Sequence, residues 1–186
     1  MTERDSLRRT FLGIGLDDAT RDLLAAHLES HLPGGVPGKP VPPSNWHVTL
    51  RFLGMATDLQ LDRLLYEMGE GGLPGPWRVR FEGLGAFPRS SRATVLWLGV
   101  AGGTDELAAL ASACEEAAVA AGFAAEDRPF HAHLTLSRIR PSLDVEPVTA
   151  SLPPFDVAMP VTEVTLYESH LGRGGARYEA IERMAL

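Results

Sequence analysis

The sequence predicts an α+β fold, with antiparallel pairing where hairpins join the strands. Short runs alternate apolar and polar residues at a period of two, as half-buried strands do. Other runs repeat apolar residues at helical spacing and begin beside capping Asp or Thr residues. Strands and helices follow each other irregularly, and some strands are joined by hairpin turns, which disfavours an all-parallel sheet.

In order, residues 10–16, "TFLGIGL", read as a buried strand. Asp17 or Asp18 then caps a helix over 18–32, because a carboxylate there accepts from free backbone N–H groups. "PGGVPGKPVPPSN" holds too many Gly and Pro residues for a helix or inner strand. His47 to Leu53 alternates as a strand, and Leu61, Leu64, Leu65 and Met68 mark a helix over 58–69. "RVRFEGLGAF" and "RATVLWLGV" are strands joined by the turn "PRSS". Thr104 is placed to cap the helix "DELAALASACEEAAVAA", with acids in its first turn and Gly122 past its end. "AHLTLSR" is the next strand, and "LDVEPVTASLPP" has room for a short helix. "PVTEVTLYESHL" and "ARYEAIERM" close the chain as two strands around "GRGG", which brings the total to roughly seven. Residues 1–186 suffice for one compact domain or two small, intimately packed lobes.

The chain has 186 residues, 45% hydrophobic and 22% charged, as in ordinary globular proteins. Its net charge of -7 argues against a long basic groove for nucleic-acid phosphates. A small anion held by local donors is still compatible, and Arg51, Arg89, Arg92, Arg138, Arg173 and Arg177 are candidates for a basic patch. The single cysteine, Cys114, falls in line with Leu107 and Leu110 on a helix and reads as core. No apolar run reaches the ~18 residues of a membrane span, and no signal-peptide pattern opens the chain, so a cytoplasmic location without membrane partners is expected.

One four-residue pattern occurs twice. His47-Val48-Thr49-Leu50 lies in "WHVTLRFLG", and His133-Leu134-Thr135-Leu136 lies in "HAHLTLSRIR". Simple alternation puts His47, Thr49 and Arg51 on one face of the first strand, with Val48, Leu50 and Phe52 on the other. In the second it puts His131, His133, Thr135 and Ser137 together, opposite Leu134 and Leu136. If two half-domains face each other, two imidazoles and two hydroxyls converge. An imidazole titrates at about 6.5, so one can act as general acid and the other as general base. Threonine hydroxyls can donate to phosphate oxygens as charge develops. A single His-x-Thr in a strand is common, and threonine suits half-buried strands for reasons of packing alone.

Further candidates lie nearby. Phe11, Trp46 and Phe130 lie close to the site strands and one of them could stack on a ligand ring, and Tyr178 could contact the substrate from the closing hairpin, although packing explains Phe11, Phe130 and Tyr178 as well. Trp46 precedes His47 and so points away from it. His27 and His31 are four apart on a helix but lack a third ligand, and a solvated helix margin explains them.

Five segments in order carry a resemblance over almost the whole chain: "RTFLGIGL", "WHVTLRFLG", "RATVLWLGV", "RPFHAHLTLSR" and "VTEVTLYESHLGRGGARYEAI". The sequence resembles the 2H phosphoesterases, and within them the bacterial and archaeal RNA 2′,3′-cyclic phosphodiesterases, also called 2′-5′ RNA ligases. The resemblance implies a bilobal fold of two antiparallel sheets with outer helices around a central cleft. It implies hydrolysis of RNA 2′,3′-cyclic phosphate ends, or of small cyclic nucleotides, to a 2′-phosphate, and the reverse 2′-5′ joining of RNA. Neither metal nor cofactor is implied, and a monomer is expected. By match to the motifs, His47, Thr49, His133 and Thr135 form the catalytic set. Arg138 stands where relatives have a phosphate-contacting arginine. Simple alternation puts it on the wrong face, so the strand must bend or bulge to deliver it. Arg51 has the better parity for the site, but the family motif does not demand it. The alternative is a nucleotide-sensing module on the same fold that does not turn its ligand over.

Overall fold

The computed structural model describes residues 7–172 and 175–186. Nine strands form one mixed-length antiparallel sheet in the order β7-β4-β5-β6-β3-β1-β8-β9, with the short β2 paired to β6. The order is palindromic in its parts. Strands β1 (Arg8–Gly15), β3 (His47–Ala56), β8 (Glu163–Gly172) and β9 (Gly175–Ala185) make one half. Strands β6 (His133–Leu143), β5 (Ala93–Gly102), β4 (Trp77–Phe87) and β7 (Val157–Val161) make the other. The halves meet between β3 and β6 through the single pair Val48↔Leu134. The two expected sheets are therefore two lobes of one continuous sheet, and each histidine strand lies at the seam.

Helices α1 (Asp18–His31), α2 (Asp58–Gly71) and α3 (Thr104–Ala120) pack on one face. Leu24, Leu61, Leu64, Met68, Leu107, Leu110 and Cys114 fill the space against Leu12, Ile14, Val48, Leu50, Leu98, Leu134 and Leu136. Asp17 caps α1 by accepting from the Thr20 amide at 2.7 Å. Thr57 and Gln60 form a reciprocal capping box on α2. At α3 the cap is Gly103, not Thr104. Its φ of 74 would strain any other residue, and Thr104 becomes the first helical residue.

Two further strands appear beyond the expected seven. Lys39–Pro40, β2, pairs with Arg138 and Ser137 inside the segment read as loop. Thr162 divides the run "PVTEVTLYESHL", so that β7 pairs with β4 in one lobe and β8 with β1 in the other. The connection after β6 contains the short helix α4, Glu146–Ser151. Among the described residues, no helix is long and apolar enough to cross a membrane.

Candidate active site

Both histidine strands break their alternation at the same place. On β3, Thr49 pairs with Gly13 and Arg51 with Leu12, so Leu50 is the extra residue of a bulge. On β6, Thr135 pairs with Trp97 and Ser137 with Leu96, so Leu136 is extra. After each bulge the parity of the side chains is reversed. Leu50 and Arg51 are both buried, as are Leu136 and Ser137. Phe52 and Arg138, the next residues, turn back to the face of His47, Thr49, His133 and Thr135.

The bulge resolves the difficulty of Arg138. Its guanidinium lies near enough to both imidazoles for its positive charge to lower their pKa values. The same device overturns three expectations. Ser137 is fully buried on the opposite face, beside Leu96 and Ile139. Phe52 is not core: it is 50% exposed and lines the cleft. Arg51 lines the cavity beside His133, but its nitrogens are engaged within the protein. Its Nε donates to Glu115 Oε2, and its two terminal nitrogens donate to the carbonyls of Phe52 and Ala124.

Each imidazole is held by the chain just before its strand. His47 Nδ1–H donates to the Asn45 carbonyl at 2.6 Å, and His133 Nδ1–H donates to the His131 carbonyl at 2.7 Å. A carbonyl accepts only, so in the neutral ring Nδ1 carries the proton and Nε2 presents its lone pair. Thr49 Oγ1 lies 3.0 Å from His47 Nε2 and can donate to it. Burial is the main cause that pushes His47 down from 6.5 to about 4; the positive charges of His133 and Arg138 add to it, and the Asn45 bond opposes it. His133 is also lowered, first by burial, then by the charges of His131 and Arg138 against its backbone bond.

Aromatic rings back both histidines. Phe11 is buried with its ring centroid 4.7 Å from His47, so it supports the imidazole and offers no free stacking face. Tyr178 meets His47 edge-on at 5.1 Å, and Tyr167 stacks on Phe11 at 5.0 Å. Gly13 allows this packing, because a Cβ there would stand 2.9 Å from the Val48 carbonyl and 3.5 Å from the His47 ring. Around His133 the rings are Phe87 at 5.1 Å and Trp97 at 6.1 Å. Trp97 lies flat over Gly85, where a Cβ would come within 2.1 Å of the indole. Trp46, a substrate-contact candidate, is instead buried in the core on the helix side. Periodicity carried no sign of Asn45. Its carbonyl holds His47, and its Nδ2 donates to the Ala176 carbonyl at 2.6 Å, which ties the β8–β9 hairpin to the site.

Beside His133 the cleft opens into a cavity of about 610 Å³. Thr49, Phe52, Phe87, Phe130 and His131 line it, with Arg128 at its margin. This suits a flat, partly apolar ligand group next to the His133 imidazole. The other candidates do not reach the site. The His27 and His31 rings lie 4.6 Å apart and tilted, with His27 Nε2 bonded to the Pro153 carbonyl, and among the described residues no third His, Cys, Asp or Glu joins them. Cys114 is buried, and burial pushes its thiol up to about 12, so it is not a nucleophile at neutral pH. Arg173 lies outside the described residues.

Comparison with known proteins agrees with this geometry. The family model described as "2'-5' RNA ligase superfamily" matches residues 18–173. The chain is 34% identical to the RNA 2′,3′-cyclic phosphodiesterase of Escherichia coli strain K12, covering 96% of this chain and 97% of that protein. It is 34% identical to the protein of the same name from Aeropyrum pernix, covering 79% of this chain and 85% of that one. Among solved structures, a phosphoesterase crystal structure superposes with a TM-score of 0.83 at 32% identity, over 97% of this chain and 99% of the other. E. coli LigT complexed with 3′-AMP superposes with a TM-score of 0.82 at 31% identity, over the same shares. The chain belongs to the 2′-5′ RNA ligase superfamily, within the 2H phosphoesterases.

Proposed function

We propose that this protein is an RNA 2′,3′-cyclic phosphodiesterase that opens the cyclic phosphate at an RNA 3′ end to a 2′-phosphate. The observation that carries this is the pairing of two Nδ1-anchored imidazoles, with Arg138 turned toward both by the Leu136 bulge. The relatives named for that activity support the substrate class.

In the proposed reaction, His133 Nε2 takes a proton from water as the water oxygen bonds to phosphorus. The bond from phosphorus to the ribose 3′-oxygen breaks, and His47 gives that oxygen a proton. Thr49, Thr135 and Arg138 donate to the non-bridging oxygens, whose negative charge grows in the transition state. In the free protein His47 is neutral near pH 7, because burial holds it at about 4. The bound phosphodiester anion favours the imidazolium, which lets His47 arrive at the reaction as the acid. The base of the terminal nucleotide lodges by Phe52 and Phe130, and Tyr178 contacts the ribose side. With the 5′-hydroxyl of a second RNA end in the place of water, the same displacement forms a 2′-5′ bond and frees the 3′-hydroxyl, and its reversal restores the cyclic phosphate and the 5′-hydroxyl. The reading extends to a cytoplasmic, monomeric enzyme in which residues 1–186 act as one bilobal domain.

Incubating the protein with an oligonucleotide ending in a 2′,3′-cyclic phosphate tests this directly. The expected product carries a 2′-phosphate. A 3′-phosphate would contradict the acid role of His47, and tight binding without turnover would support the sensing module instead.

A further inference from the structure

Residues 124–131 form a wall of the cleft and lead straight into His133, yet they have no regular secondary structure. Most of them are exposed, and within the segment Phe130 alone packs against the core. Two further fixed points lie at its start, both from one ion pair. Arg51 reaches from β3 and donates to the Ala124 carbonyl, while its Nε pairs with Glu115 on α3. The second Glu115 oxygen accepts from the Glu126 amide at 2.9 Å. Five residues beyond Glu126, the His131 carbonyl accepts from His133 Nδ1. Arg51 is 8% exposed, so its contacts form away from bulk water, where a charged hydrogen bond is strong and an unpaired partner costly.

We propose that Arg51 is a positioning residue for His133: with Glu115 it clamps the 124–131 segment so that the His131 carbonyl holds His133 in its Nδ1–H form. The role rests on the phosphodiesterase reading, and it makes the first motif strand responsible for orienting the histidine of the second. Asn45 holds His47 independently, so the clamp acts on one imidazole and not on the other.

The test uses Arg51→Met and Glu115→Gln in the full chain. Imidazole ¹⁵N signals at pH 7.5 report which ring nitrogen carries the proton. Both histidines are expected as the Nδ1–H form in the unsubstituted protein. In R51M, His133 is expected to become a mixture of both tautomers while His47 keeps its signal, and E115Q is expected to do the same more weakly. Turnover in R51M should fall by about tenfold to a hundredfold, the scale of a small misplacement of a catalytic group. Unchanged His133 signals in a folded R51M, or equal changes at both histidines, would overturn the clamp. Should R51M not fold, E115Q and the exchange of the Glu126 amide in the unsubstituted protein decide: slow exchange is expected, and rapid exchange overturns the proposal. The signals are read without substrate, so a failed assay on cyclic phosphate ends would sink the functional reading and leave this result standing.

Discussion

Replacing either His47 or His133 by alanine is expected to lower kcat on a 2′,3′-cyclic phosphate end by about 10²–10⁴-fold, the usual worth of a positioned acid or base. The two residues act on one displacement, at its opposite ends. Removing both should therefore cost about as much as removing one, since groups that work as a unit are far from additive. Affinity for a 2′-phosphorylated product should change little by comparison, because the hydroxyls, Arg138 and the aromatic cleft remain. Fold is not at stake in the His133 variant, whose ring lies at the cleft surface. A single alanine variant retaining near-normal turnover would remove that histidine from the mechanism. Additive losses would show that the two do not share a step.

The second large effect concerns Arg138. Its replacement by alanine should lower kcat by about 10²–10³-fold, as expected when a preorganised donor to developing charge is lost. Lysine should restore only part of the loss, since an ammonium lacks the planar fork of the guanidinium. The bulge at Leu136 gives a sharper version of the experiment. Exchanging the neighbours, as Ser137→Arg with Arg138→Ser, moves the guanidinium to a side chain position that is fully buried on the core side. The exchange should both destabilise the protein and abolish rescue, because an unpaired charge in that position is costly. An active, stable exchange variant would mean that residue 137 faces the cleft and that the bulge is absent.

The elements were legible because their apolar periods are clean. β1, β3, β5, β6 and the three longer helices fall where alternation and helical spacing place them, with Gly103 in place of Thr104 as the cap of α3. So do the two motif strands, which lie side by side as the repeated His-x-Thr-x within clean alternation suggested. Simple alternation failed at Arg51, Phe52 and Ser137, and for one reason. Strand periodicity assumes an unbroken ladder, whereas each motif strand carries an extra residue just after its threonine and a second register shift further on. The signal was present in the spacing: buried Val48, Leu50 and Leu53, and buried Leu134, Leu136 and Ile139, both step by two and then by three. A step of three between buried residues of one strand marks an inserted residue. Asn45 had no such signal, because its roles come from a backbone carbonyl and a long-range bond to β9. Trp46 shows the opposite case, as parity alone rightly turned it away from His47.

The paired acid–base account is tested most directly by the pH dependence of kcat/KM. That quantity reports the free enzyme, and the active form carries one proton on the two imidazoles together. Burial holds His47 at about 4 and also lowers His133 below its usual value. As pH falls through about 4, both rings become protonated and the base is lost; as pH rises past the His133 value, both become neutral and the acid is lost. The account predicts a bell with both limbs below pH 6.5, and a kcat profile whose basic limb lies higher because the bound anion supports the imidazolium. A kcat/KM that keeps rising through pH 7, with a single limb, would contradict it.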